Sequence, residues 1–417
     1  MNSSLTAPGI VEARNTRLVG YHDLDGRPAF KLGMHVAGGR RYVYAGSMFH
    51  PGWSVIDVTD PEEPKLANFI PGPPNTWTIQ MQVAESRMVV GLEHPAKGWT
   101  DLVGDAEPRA GVMIWDLSAD PVSPKLLSEY PMPGTGTHRN FYAGGDIVAL
   151  AAALEGYQHR IAVFLDISDP SHPREVSRWW WPGQHLAGGE TPEHQVYMHG
   201  PAYIHGNRAY LSYGRVGMVV LDISDIAHPQ LVSRLSFGDL GSSRPGCHSV
   251  VPIPGKQLLV VNSEAHQDEP GEVDPLNYTF VVQENGDDYK VISAFPMPRP
   301  ANGLPYKNYY EKGERFGPHN QHHHQGQPWL APNDDLVYMT YFNAGLRIFS
   351  IEDPFMPEEV GHFVPEDPKI RRGPVPAKLV TQFEDVLVDD RGYVYCSDKQ
   401  HGLFVLRYEP DGSDEHG

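Results

Sequence analysis

Cysteine is nearly missing from this chain: only Cys247 and Cys396 occur in 417 residues, far apart and each inside a strand-like segment. Two such residues make no disulfide framework, and no Cys-x-x-Cys is present to hold zinc or run thiol exchange, so both are read as buried thiols. Apolar runs of the ~18 residues that a membrane-spanning helix needs are absent. Met1 to Pro8 carries neither a basic region nor an apolar run. The expectation is a cytoplasmic protein with no membrane partner. Positive charge is also scarce: 33 Lys and Arg stand against 52 Asp and Glu, a net charge of -19. The basic residues nowhere cluster, which argues against nucleic acid. Finally, there is no Gly-x-Gly-x-x-Gly opening a helix, no phosphate loop and no Gly-x-Ser-x-Gly, so nucleotide, flavin and serine-hydrolase chemistry lose ground.

What is abundant is the turn. Gly 42 and Pro 39 fall at regular intervals between short apolar runs, the pattern of many short strands. One sentence recurs: an apolar run, Asp, a small or polar residue, then Asp-Pro. It reads Trp53 to Asp57 with Asp60-Pro61, Val112 to Asp116 with Asp120-Pro121, Val163 to Asp166 with Asp169-Pro170, Val219 to Asp222 with Asp225, and Leu346 to Ser350 with Asp353-Pro354. Weaker copies at Tyr278 to Val282 and Leu403 to Arg407 bring the count to seven. A period of about fifty residues is that of a propeller blade. The reading is all-β: a single seven-bladed β-propeller of four-stranded blades, approximately residues 23–72, 76–133, 136–183, 197–238, 246–296, 318–366 and 382–410. The last unit lacks an outer strand and Thr16 to Tyr21 is a strand without an owner, so the N-terminal strand closes the last blade and leaves no long free edge.

The repeated apolar-Asp-[Ile/Val]-[Ser/Thr]-Asp-Pro sentence resembles the LVIVD-repeat β-propellers. The resemblance implies the fold and says little about chemistry.

Aligning the units on their second strand sets up a column at the start of each inner strand: His35, Gln80, His138, His199, His248, His323 and Glu384. Inner strands line the axis of a propeller, so equivalent side chains converge there. Converging neutral imidazoles make a transition-metal site, with His138, His199, His248 and His323 as ligands. The densest stretch, His319 to Gly326, leaves open which of His319, His322, His323 and His324 faces the axis. One metal ion is expected, Fe(II) first, with Zn, Mn or Cu compatible.

A second column, Glu93, Glu155 and Glu264, ends the second strands and should ring the histidines from outside, fixing tautomers. Glu264, Glu384 and His266 are the candidate proton carriers. His35, Gln80, His322, His324 and Arg215 are candidate supporting or substrate-binding residues. Long connections at Trp181 to Met198, Pro298 to Pro318 and Val364 to Thr381 are expected to be lids rich in aromatics. In architecture alone the arrangement resembles the carotenoid-cleavage oxygenases, whose four His hold Fe(II).

The functional expectation is an Fe(II)-type oxygenase or oxidoreductase acting on a small apolar or aromatic molecule. Two alternatives stand beside it: a redox-neutral lyase, hydratase or hydrolase using Zn or Mn as Lewis acid, and a non-catalytic interaction scaffold.

Overall fold

The computed structural model describes residues 7–189, 191, 196–238, 246–266 and 277–410. Seven four-stranded antiparallel sheets stand around an axis. Blades 1 to 5 follow chain order, with inner strands Ala29–Ala37, Met81–Ala84, Gly136–Phe141, Ala202–His205 and Cys247–Ile253. Blade 7 runs Phe383–Val388, Tyr393–Asp398, Gly402–Tyr408 and then Thr16–His22, so the N-terminal strand supplies the outer edge as expected. Its inner strand packs on that of blade 1 and closes the ring. Among the described residues no helix is long and apolar enough to cross a membrane.

The repeated sentence has a physical cause, because both of its aspartates tie their own turn. The first accepts from the backbone N–H two residues on, at Asp116 Oδ1 from Ser118 (2.8 Å), Asp166 from Ser168 (2.7 Å) and Asp222 from Ser224 (2.8 Å). The second does the same at Asp120, Asp169 and Asp225. These side chains replace hydrogen bonds that the sharp turn from third to fourth strand leaves unmade. A hydroxyl then latches neighbouring blades: Ser128 Oγ donates to Pro170 O and Ser177 Oγ to Ile226 O, each at 2.6 Å.

Blade 6 departs from the regular plan. Its strands are Leu336–Thr340, Leu346–Ser350 and Glu358–Pro365, with residues 319–322 added at the axis by the Gln321–Met339 bridge. Outside lies an unforeseen strand, Ile10–Arg14. Its pattern is inverted, since Ile10 and Val11 are exposed and the buried residue is Glu12, which accepts from Tyr309 Oη (2.7 Å) and Ala301 N (2.7 Å). An apolar-alternation test does not find such a strand. Both cysteines are free and buried.

Candidate functional site

The inner strands of blades 1, 3, 5 and 7 open with an irregularity, and in the last three it builds the site. Pairing with the second strand skips one residue between Thr137 and Arg139, between Cys247 and Ser249, and between Phe383 and Asp385. The skipped residues are His138, His248 and Glu384. A bulged residue is re-aimed out of the pleat, here toward the axis. In blades 4 and 6 the same level is held by His199, whose N–H donates to Ser212 O (3.0 Å), and His319, whose N–H donates to Thr340 O (2.9 Å). Hydroxyls of the second strand take the next N–H: Ser212 from Gly200, Thr340 from Asn320 and Ser397 from Asp385. Gly200 is required by close approach, because a Cβ there would lie 1.7 Å from His248 O.

Four imidazoles therefore stand in a row across blades 3 to 6, with centroid separations of 4.9 Å (His138–His199), 5.1 Å (His199–His248) and 5.0 Å (His248–His319). Glu264 reaches in from the end of the second strand of blade 5, with Oε2 2.7 Å from His199 Nε2 and 3.6 Å from His248 Nε2. His199, His248 and Glu264 each offer a ligand atom within 4.8 Å of the others and could hold a metal ion. Although only 2.7 Å apart, His199 Nε2 and Glu264 Oε2 make no hydrogen bond, and both are buried. Two such atoms side by side are costly unless a third party satisfies both.

The electrostatics favour ligation. Burial pushes His199, His248 and His319 well below the usual imidazole range and His138 down to about 4, so all four are neutral near pH 7. Burial opposes ionisation of Glu264, but its neighbours hold it well below the carboxylate range. With the imidazoles uncharged, the partner that keeps it ionised at neutral pH is Arg315, at 3.1 Å. Glu93 accepts from His138 Nδ1 at 2.7 Å. Glu384 is pushed up by burial despite Lys399 at 2.6 Å, and it lies 3.3 Å from His319 Nδ1.

Other expected residues fall elsewhere. His319, not His323, stands beside His248. His323 packs on Phe141 and Tyr203, four residues and about 13 Å farther along an extended chain. The register slips because the segment between the first and second strands of blade 6 carries a turn over residues 324–333, so counting back from the second strand stops short. His35 is misplaced for a similar reason: the blade 1 irregularity lies between Ala29 and Leu32, and His35 stacks edge-on with Trp329 at 5.6 Å. His322 bridges blades, taking Val388 N–H on Nδ1 and donating Nε2–H to Ala331 O. His324 accepts from Gly326 N. Glu155 is exposed, Gln80 is buried away from the cavity, and Arg215 is not among the cavity's lining residues.

A cavity of about 470 Å³ opens beside His138, His199 and Glu264, and His266 lines it. Its apolar wall includes Phe30, Trp77 and Trp99. Trp99 belongs to the 94–110 connection of blade 2, which sequence reasoning passed over as a lid. Trp77 Nε1 donates to Thr100 Oγ1 and Val103 N to Asn75 Oδ1, pinning that loop. Of the expected lid aromatics, Tyr309 and Phe316 pack into the blade 6 core instead. Part of the Trp181 to Met198 connection lies outside the described residues.

Four cations were missed: Arg139, Arg160, Arg315 and Lys399 all line the cavity. Arg139 is the most telling, with Nη2 2.9 Å from His248 Nε2 and 3.3 Å from His319 Nε2. Guanidinium only donates, so both imidazoles present lone pairs at Nε2, and His248 Nδ1–H is left to donate to Ser249 Oγ (2.8 Å). An Arg one residue after a column histidine, inside an inner strand, was the available signal.

With fold and geometry in place, the LVIVD repeat family matches residues 161–179 and 203–236, in blades 3 and 4. Those two blades are similar to the LVIVD repeat, and the whole is a seven-bladed β-propeller. Among curated proteins none matches it in sequence. Among solved structures, this propeller is similar to the computationally designed Ika8 protein, at 10% identity over 96% of this chain and 100% of that one, with a TM-score of 0.49. A likeness of that size carries no argument about chemistry.

Proposed function

We propose that the protein is a metal-dependent enzyme, an Fe(II)-type oxygenase or oxidoreductase, with His199, His248 and Glu264 as ligands and the adjoining cavity as substrate pocket. The observation that carries this reading is the buried, unbonded approach of His199 Nε2 to Glu264 Oε2 at 2.7 Å. Two imidazoles and one carboxylate are the donor set of non-haem Fe(II) oxygenases, and a bound ion would supply the activation of O2. The chain's own residues do the rest. Ser249 fixes the His248 tautomer, Arg315 keeps Glu264 ionised, and Glu93 orients His138 at the pocket wall. Glu384, whose pKa burial raises, is the carboxylate of the site most inclined to take up a proton.

A second reading is favoured by one specific contact. Arg139 already uses the His248 Nε2 lone pair that a metal would need, so a metal-free site in which Arg139 is the electrostatic centre is the competing arrangement. Elemental analysis of protein purified without a His tag or chelating resin, before and after anaerobic loading with Fe(II), separates the two. About one iron per chain is expected. Zinc or manganese in its place moves the chemistry to redox-neutral Lewis-acid catalysis, and folded protein that takes up no metal overturns the proposal.

A further inference from the structure

The charges around the cavity do not cancel. Arg139, Arg160, Arg315 and Lys399 line it, while the carboxylates among them are Glu93, Glu264 and, just behind, Glu384: four positive groups against three negative. The Lys31–Asp385 pair closes on itself at 2.9 Å and leaves this sum unchanged. An uncompensated buried cation is expensive, and the cheapest remedy is a ligand that brings one negative charge. Beside these cations the wall is aromatic. Trp77 and Trp99 meet edge to face at 5.9 Å, with Arg315 and Lys399 held 4.8 Å and 5.3 Å from the Trp99 ring. Both cations thus sit at the border between the charged and aromatic halves. Arg139 Nε is buried without a hydrogen-bond partner, a spare donor on the charged side.

We propose that the cavity's substrate is an aromatic monocarboxylate, its carboxylate received by Arg139 with Arg160 and Arg315 and its ring lying against Trp99 and Trp77. A single excess charge selects a monoanion over a phosphate dianion, and the planar fork of Arg matches a planar carboxylate. This rests on the axial cavity being the active site but not on the metal, since the charge count is taken over the chain alone.

The test uses full-length, chelator-treated protein and follows tryptophan fluorescence on titration with benzoate, phenylacetate and trans-cinnamate, with the matching amides and phenyl phosphate as comparators. At least one acid should bind about tenfold or more tighter than its amide and than phenyl phosphate, and added salt should weaken the acid alone. Arg315→Gln should weaken the acid about 10- to 100-fold while leaving the amide unchanged. Because Arg315 also pairs with Glu264, Arg315→Lys is made alongside: charge retained with the fork lost should restore part of the affinity. Arg234→Gln, whose guanidinium lies over Trp181 outside the cavity, should change nothing. Equal binding of acid and amide, tighter binding of phenyl phosphate, or no saturation by any acid overturns the proposal. Metal content, measured before chelation and again after the stripped protein is reloaded with Fe(II), keeps the two readings apart. Iron with no preference for acids sinks only the substrate class, and acid binding by a protein that never takes up metal sinks only the metal.

Discussion

The axis and the outer turns use the same pair of side chains to opposite ends. In the turns after the third strands of blades 3 and 4, His172 Nδ1 lies 2.9 Å from Asp169 and His228 Nδ1 lies 2.8 Å from Asp225. At the axis, His199 lies 2.7 Å from Glu264. Distance does not separate these pairs, but exposure does: the His172 and Asp169 side chains are 83% and 63% exposed, those of His199 and Glu264 9% and 6%. Water supplies any hydrogen bond that the turn pair lacks, so nothing is stored there. At the axis the same contact is desolvated, both pKa values are pushed down, and the two facing atoms are left without a hydrogen-bond partner.

The largest effect expected from breaking this contrast is on metal. His199→Ala or Glu264→Gln should bring metal stoichiometry to background in protein whose circular dichroism is unchanged, whereas His172→Ala and His228→Ala keep the wild-type content. His323→Ala belongs with the second group, being buried against Phe141 and Tyr203 rather than at the site. Equal metal loss across both groups would mean that unfolding, not ligation, had been measured.

Next in size is the backbone contact that lets two axial histidines be neighbours. Gly200→Ala places a methyl 1.7 Å from His248 O and 2.5 Å from Ser212 Oγ, so the inner strands of blades 4 and 5 must separate. A cost of about 3 kcal/mol is expected from forced overpacking, read as a lowered Tm, with weaker metal binding alongside. Gly206→Ala is a control on the same blade, since nothing lies within 4 Å of its Cβ position. It shifts Tm only through its positive φ of +56°.

What could be read from the sequence divides along the same line. The turns were legible because Asp-x-Ser and Asp-Pro act locally, each aspartate bonding a backbone N–H two residues away, and a local device repeats wherever its residues do. Ring closure followed from counting strands. The column of His138, His199 and His248 was found because those hairpins are nearly equal in length. It slipped to His35 and His323 where the first strand or its turn is longer, since a bulge is a local defect that hydrophobic periodicity does not register. The cations needed three dimensions. Arg160 begins a third strand, Arg315 ends a long loop, Lys399 follows a second strand, and only the closed ring brings them to one cavity.

A comparable effect, spread over pH, should come from the buried imidazoles. An unfolded chain protonates His138 near its ordinary 6.5, while in the fold burial, then Arg160, against the pull of Glu93, lowers the value to about 4. Above 6.5 neither state carries the proton. As the pH falls from 6.5 to 4 the unfolded state binds it first, so stability is lost across that window and changes no further below it. The difference amounts to about 3 kcal/mol for this one residue. His199, His248 and His319 act in the same direction. Unfolding midpoints measured from pH 7.5 to 4 should fall steeply below 6.5, and His138→Gln, which can still donate to Glu93, should make the fall shallower. An unchanged slope in that variant would show that His138 titrates normally in the fold.

The smallest effect is expected in the turns, and it dissects the pair there. Asp169 does two things: Oδ1 accepts from Ser171 N at 3.0 Å and Oδ2 faces His172. The first contact ties the turn; the second is a solvated encounter whose geometry water can replace. Asp169→Ala should therefore lower Tm measurably, Asp169→Asn should recover most of that loss because the amide oxygen still accepts from Ser171, and His172→Ala should leave Tm where it was. At the axis the order is different, since removing either His199 or Glu264 strands a buried partner. If His172→Ala destabilised the protein as much as Asp169→Ala does, the exposed pair would be contributing through its charge, and burial could no longer be what distinguishes a turn decoration from a site.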